Sequence, residues 1–293
     1  MAHASHAPAA DRYFVPAPSW WPFAMTAVLV TFMVGFGNWL NGYDQGRIFF
    51  ALGLAGILVM TFVWIRGVAR ESERGAYNAQ VDRTYRWAMS WFIFSEVMFF
   101  GAFFGALFYA RQLSVPWIAG EGAKFATNEF IWKGFEAVWP TNGPGDIGGA
   151  FEIIPAWGVP FVNTLILLSS GVTITFAHHM LKAGKRTACI LWMFATVALG
   201  ASFLYLQASE YMEAYQHLNL TLGSGVYGST FFMLTGFHGA HVTLGTIMLS
   251  IITLRLMLGH FKPDSHFGFE GVAWYWHFVD VVWIGLFIFV YVL

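Results

Sequence analysis

Five ionisable side chains lie where a chain has no ordinary use for them. Glu96 is the only charged residue between positions 87 and 110, and Asp280 the only one between 271 and 293. His238 and His241 fall inside a run, 214–254, with no Asp, Glu, Lys or Arg, and His277 stands three residues before Asp280. An acid facing an imidazole can hold or pass a proton. Two imidazoles three positions apart share a helix face, as paired metal ligands do, and an acid would add a third donor to a tetrahedral site. A plainer use competes with both: such groups hydrogen-bond across helices and fasten them together. Which use applies depends on the solvent around them and on the elements that carry them.

That solvent is hydrocarbon. Of the 293 residues 57% are apolar and only 11% charged, with a mean hydropathy of +0.58, whereas a soluble domain carries about 25% charged residues. The charges are clumped, leaving long uncharged windows, and a helix needs roughly 20 apolar residues to cross a bilayer. The windows predict seven transmembrane helices, at 21–40, 48–65, 86–110, 159–181, 188–211, 227–260 and 272–293. The protein is therefore expected to be an all-α polytopic membrane protein. The sixth span exceeds what a crossing requires, so it tilts or projects beyond the bilayer.

Lys and Arg set the orientation. Arg12, the loop 66–86, the loop 182–186 and the region 255–262 share one face and hold eleven of the fifteen basic residues; Arg47, Arg111, Lys124 and Lys133 lie opposite. The positive-inside rule makes the amino terminus cytoplasmic and places the carboxyl terminus across the membrane. Segment 1–20 is polar and Pro-rich and reads as preceding a retained first span rather than as a signal peptide. The expected divisions are that cytoplasmic segment, 21–65 with spans one and two, a polar cytoplasmic linker at 66–85, and a five-helix bundle from 86 to 293. The connection 111–158, rich in Gly, Pro and Trp, is the one long external loop and is expected to cover or bind something. A net charge of −1 offers no field for nucleic acid, and the single Cys189 excludes an internal disulfide and a thiolate metal cluster.

At 1.5 Å per residue, Glu96, His238 and His241 all reach the middle of the bilayer, where one Glu–His hydrogen bond is possible. Proton handling and a polar clasp between the third and sixth spans both fit. The clasp is the commoner arrangement, and imidazoles satisfied by interhelical hydrogen bonds are commoner than a metal site. Gly101 and Gly105 are spaced to let another backbone approach the third span. His277 and Asp280 form a second local pair or face a partner protein. Trp274, Tyr275, Trp276 and His277 read first as an interfacial anchor. Arg255 cannot shed its charge and must snorkel or bind an anion; Arg66, Arg70 and Glu71 end the second span on the same side, where basic pockets hold anionic lipid headgroups.

Several strings carry a family resemblance. Phe92-Ile93-Phe94-Ser95-Glu96-Val97-Met98-Phe99-Phe100, Ala177-His178-His179, Gln207-Ala208-Ser209-Glu210-Tyr211, Thr235-Gly236-Phe237-His238-Gly239-Ala240-His241-Val242 and Trp274-Tyr275-Trp276-His277-Phe278-Val279-Asp280-Val281-Val282-Trp283 resemble subunit III of cytochrome c oxidase, across all seven spans in order. The resemblance implies a chain with no haem or copper of its own, those belonging to partner subunits I and II. It implies support for proton uptake and sustained turnover in subunit I. It further implies phospholipid held in a cleft separating helices 1–2 from helices 3–7. The buried glutamate falls on Glu96, the histidines on His238 and His241, and a lipid-contacting arginine on Arg255. The lipid-binding set this suggests is Trp64, Arg70, Glu71, His241, Arg255 and His260. The expected setting is a bacterial inner (plasma) membrane, with the carboxyl terminus periplasmic. The runner-up function is an independent proton-coupled transporter. The chain departs from the family string at Phe103-Phe104-Gly105-Ala106-Leu107 and near Tyr77-Asn78, and the long loop is expected to match poorly.

Overall fold

In hydrocarbon a backbone amide has no water to bond, so the chain must satisfy its own peptide groups, which a helix does within one segment. The structure, a computed structural model, describes residues 13–293; Arg12 and most of the amino-terminal segment lie outside the described residues. Among the described residues seven helices are long and apolar enough to cross a membrane, and the only β-pairing is an isolated bridge, Lys262–Ser265. In chain order the helices are α1 (Trp21–Leu40), α2 (Asp44–Glu73), α3 (Ala79–Tyr109), α4 (Val115–Ile118), α5 (Phe125–Phe130), α6 (Val159–Lys182), α7 (Arg186–Gln216), α8 (Gly225–Leu258) and α9 (Phe267–Leu286). A π-helical stretch joins α3 to α4, and another extends α9 through Phe287–Val292.

The helices outrun the apolar windows. The polar linker expected at 66–85 is mostly helix: α2 continues to Glu73 and α3 begins at Ala79. Arg, Ala and Glu are good helix formers, so leaving the apolar window does not end the helix. The connection itself is pinned. Asn78 Oδ1 accepts from the amides of Gln80 and Val81 at 3.1 and 2.9 Å, capping α3. Tyr77 donates to the Glu71 carboxylate at 2.8 Å, and Tyr85 donates to the Tyr77 oxygen at 3.2 Å. Burial, reinforced by the hydrogen bonds with Tyr85 and Glu71, raises the Tyr77 phenol well above its ordinary pKa, so it stays a neutral donor.

The chain divides into two compact units, one ending at Tyr85 and one running from Arg86 to Leu293. In the first, α1 and α2 form an antiparallel pair held at backbone contact by glycines: a Cβ on Gly35 would sit 2.2 Å from the Phe50 nitrogen, and one on Gly53 2.4 Å from the Phe32 Cα. Most side chains of these two helices face outward.

The second unit contains the buried core. Trp276 and Trp283 on α9 are fully buried at its centre. Trp276 Nε1 donates to Ser170 Oγ at 2.8 Å and Trp283 Nε1 to Thr164 Oγ1 at 2.9 Å, tying α9 to α6. Each hydroxyl donates its own proton to a carbonyl of its own helix, Leu167 and Pro160. It thus accepts from the neighbouring helix. The string at 274–277 is therefore not mainly an interfacial anchor, because Tyr275 and Trp276 are core residues. Room for the Trp276 indole comes from Gly200 on α7 and Gly245 on α8, where an added Cβ would fall 2.8 Å from its ring atoms. By contrast no atom of the described residues lies within 4 Å of a Cβ built on Gly101 or Gly105, so among them the close approach expected on α3 is not made there.

The long connection folds over one end of this unit. Asn142 Nδ2 donates to Asp146 and to the Gly149 carbonyl, and Asn219 Nδ2 donates to the carbonyls of Gly148 and Ala150. Phe151 stacks on Tyr227 with centroids 5.5 Å apart. A Cβ on Gly245 must displace the indole beneath it, so Gly245→Ala is expected to cost about 1–3 kcal/mol of stability, as overpacked cores do. Denaturation in detergent, followed by tryptophan fluorescence, measures that loss.

Candidate functional site

The acid on α3 meets an imidazole on α8. Glu96 Oε2 lies 2.9 Å from His241 Nε2, with both side chains mostly shielded, 22% and 14% exposed. His241 Nδ1 is 2.6 Å from the carbonyl of Phe237, one turn back on the same helix. A carbonyl only accepts, so Nδ1 carries a proton. Neutral His241 therefore presents a bare Nε2 to Glu96. The contact then requires one further proton, either on the carboxyl group or on Nε2. Without it two lone pairs would face each other at hydrogen-bond distance. The pair is thus a single-proton bond with no net charge in either form, which suits hydrocarbon. Aromatic rings surround it: Phe100 at 5.0 Å, Phe99 at 6.0 Å, Tyr275 at 6.3 Å and Phe278 at 6.4 Å from the imidazole centroid.

His238 does not join this pair. Its Nε2 lies 3.2 Å from the Val279 carbonyl on α9, so it donates there, and its ring packs 5.0 Å from Trp283 and 5.7 Å from Phe203. It is fully buried, and its Nδ1 has no hydrogen-bond partner among the described residues. The two histidines that share a spacing thus serve different neighbours, and no metal pair forms from them.

His277 and Asp280 approach to 3.6 Å, an ion-pair distance too long for a hydrogen bond. Thr175 Oγ1 donates to the Gly171 carbonyl and lies 3.3 Å from His277 Nε2, so it accepts there. Asp280 is 5% exposed and fits only because residue 171 is glycine: a Cβ there would lie 2.4 Å from Asp280 Oδ2. Both groups border a groove of about 390 Å³ between α6 and α9.

The suggested lipid ligands fall into both units. Trp64, Arg70 and Glu71 lie on α2, with Trp64 55% exposed, and Glu71 is engaged by Tyr77. Arg255 ends α8 with its guanidinium 4.8 Å above the Phe261 ring, and the amide of His260 donates to the Arg255 carbonyl at 3.1 Å. Fourteen residues separate His241 from Arg255 on α8, about 21 Å by the helical rise, so His241 belongs to the Glu96 contact and not to the Arg255 end.

Three features were missed in the sequence. Arg186, counted there only for orientation, donates to the carbonyls of Leu256 and Met257 at 2.8 and 2.5 Å and closes the end of α8. Tyr291 donates to Glu210 Oε1 at 2.6 Å, binding the end of the chain to α7. His178, His266 and Glu270 gather where α6 ends and α9 begins, with Glu270 paired to Arg86 on α3. The i to i+4 spacing of His266 and Glu270 was a readable signal, but His178 is 88 residues away from His266.

Comparison with known proteins gives the family. The family model described as cytochrome c oxidase subunit III matches residues 11–124 and 130–293. It runs through most of the long connection, where a poor match was expected, and breaks only at 125–129. Cytochrome c oxidase subunit 3 of Marchantia polymorpha is 41% identical over 94% of this chain and 93% of its own length. That of Arabidopsis thaliana is 40% identical over 95% of each, and that of Equus asinus 38% identical over 99% of this chain and 98% of its own. These likenesses do not favour an independent transporter, and plant and mammalian relatives do not support a specifically bacterial setting. A seven-helix membrane chain matched along nearly its whole length in this way belongs to the cytochrome c oxidase subunit III family.

Proposed function

We propose that the chain is a non-catalytic, supporting subunit of a respiratory oxidase that reduces oxygen to water and pumps protons. In this reading the haem and copper reside in partner subunits I and II, and this chain contributes no redox centre. Its part is to steady proton uptake and turnover in subunit I. The observation that carries the reading is the Glu96–His241 bond, which ties α3 to α8 and keeps its own proton inside a neutral pair. Outward-facing apolar residues of α3 near that bond, Phe94, Val97 and Met98, give lipid or a partner subunit a surface to pack on.

Phospholipid is the second ligand in this reading, with Trp64, Arg70 and Glu71 as contacts on the first unit and Arg255 and His260 as contacts on the second, while His241 stays with Glu96. Support comes from the cationic end of α8 and from the charged end of α2. A headgroup phosphate suits a guanidinium already oriented by an aromatic ring. In this reading the basic loops and the amino-terminal segment share one face of the membrane, the cytoplasmic one by the positive-inside rule, and the carboxyl terminus lies on the other.

Replacing the acid separates support from proton transfer. In Glu96→Gln the amide still donates to His241 Nε2, whereas Glu96→Leu leaves that nitrogen unpaired, at about 1–3 kcal/mol. Oxidase carrying Glu96→Gln should keep its working life during sustained turnover, and Glu96→Leu should shorten it severalfold, with unchanged haem absorbance in both. Equal impairment of the two variants would assign the proton, and not the clasp, to the mechanism. Arg255→Ala should lower the phospholipid retained through mild-detergent purification severalfold, measured by lipid mass spectrometry. For orientation, Lys185→Cys should react with an impermeant thiol reagent only from the cytoplasmic side, native Cys189 being buried.

A further inference from the structure

Two imidazoles and a carboxylate meet where α6 ends and α9 begins. His178 Nε2 lies 3.2 Å from His266 Nε2, and one donor atom from each of His178, His266 and Glu270 falls within 4.8 Å of the others. All three side chains are half-buried, so the cluster is built into the fold yet reachable. The fold aims them deliberately: His266 caps α9 and Glu270 follows one turn later, its amide donating to the His266 carbonyl at 3.1 Å. Both side chains therefore project from one face of the helix start. His178 comes from the last turns of α6, packed against Phe269 with ring centroids 5.5 Å apart.

Two ring nitrogens this close need something between them, a proton or a cation. Zinc binds imidazole nitrogen at about 2.0–2.1 Å in tetrahedral geometry, which places neighbouring ligand atoms roughly 3.3 Å apart. The observed 3.2 Å matches that spacing. Two nitrogens and one carboxylate oxygen suit zinc, while magnesium and calcium prefer oxygen alone. For His266 Nε2 to present a lone pair the ring proton must sit on Nδ1, which is buried with no partner among the described residues, so the metal bond has to offset one unpaired N–H. Arg86 pairs with one carboxylate oxygen of Glu270 and leaves lone pairs for a metal, orienting the acid as outer-shell partners do. Its charge also opposes a dication, which keeps the site exchangeable.

We propose that His178, His266 and Glu270 form a binding site for one zinc-class divalent cation that staples the end of α6 to the start of α9. The fourth tetrahedral position is left to water. The site is separate from the Glu96–His241 bond and carries no redox chemistry, because zinc has none.

The test uses the intact oxidase containing this chain, freed of loosely held metal by a chelator and then titrated with Zn²⁺. Anomalous scattering at the zinc edge should place one ion within bonding distance of both Nε2 atoms. Binding measured with radioactive zinc should lose one site, or weaken it at least tenfold, in His178→Asn and His266→Asn, while His217→Asn, an exposed histidine elsewhere, changes nothing. Zinc saturation with no anomalous peak at the cluster would overturn the proposal. So would equal zinc affinity and stoichiometry in wild type and both cluster variants. Should a variant fail to assemble, the wild-type anomalous map decides alone.

Discussion

No water reaches the hydrocarbon core to complete a hydrogen bond, so a polar side chain there gains by finding a partner within the protein. That constraint organises the second unit. Serine and threonine hydroxyls give their protons to carbonyls of their own helix and offer lone pairs outward. Trp283, Trp276 and Tyr211 donate to those lone pairs at 2.9, 2.8 and 2.6 Å, respectively. His241 follows the same rule with a ring: one nitrogen serves its own helix, the other crosses to α3. The result is a set of one-to-one links between helices. Packing alone could not specify them, because lipid tails are as apolar as the side chains they would compete with.

Functional character follows from the same economy. The Glu96–His241 contact satisfies both groups with one proton and leaves no net charge in the membrane. A pair so arranged can steady a neighbour's structure without exchanging anything with it, which fits membership of an oxidase as subunit III. The cluster of His178, His266 and Glu270 differs in kind. It sits half-buried near a helix end, where charge is tolerated, and it brings three donor atoms within 4.8 Å of one another.

Much of this was legible in the sequence, and the limits were physical. Uncharged windows located the seven crossings because hydrocarbon excludes charge. They did not locate helix ends, because residues such as Arg70 and Glu71 favour helix in water as well as beside lipid. That Glu96 would need an imidazole followed from burial alone. Which imidazole could not follow: His238 and His241 differ by only about 60° around α8, but that helix has neighbours on several sides, and 60° is enough to point one ring at α9 and the other at α3. The tryptophans of α9 misled for a related reason. An indole seeks either the headgroup layer or a buried acceptor with room beside it. The room at Trp276 is made by Gly200 and Gly245 on two other helices. Arg186 and His178 were hidden likewise, since each acts on residues some 70 or more positions away in the chain.

The account rests on the state of one ring. Solid-state NMR of the intact oxidase in lipid, with ¹⁵N-histidine and a His241→Gln variant to assign the signal, reads both nitrogens of His241 directly. The structure predicts a proton on Nδ1, bonded to the Phe237 carbonyl, and Nε2 in a hydrogen bond to the Glu96 carboxyl group. A bare Nδ1, or an Nε2 free of hydrogen bonding, would contradict the proton-sharing clasp and the supporting role derived from it.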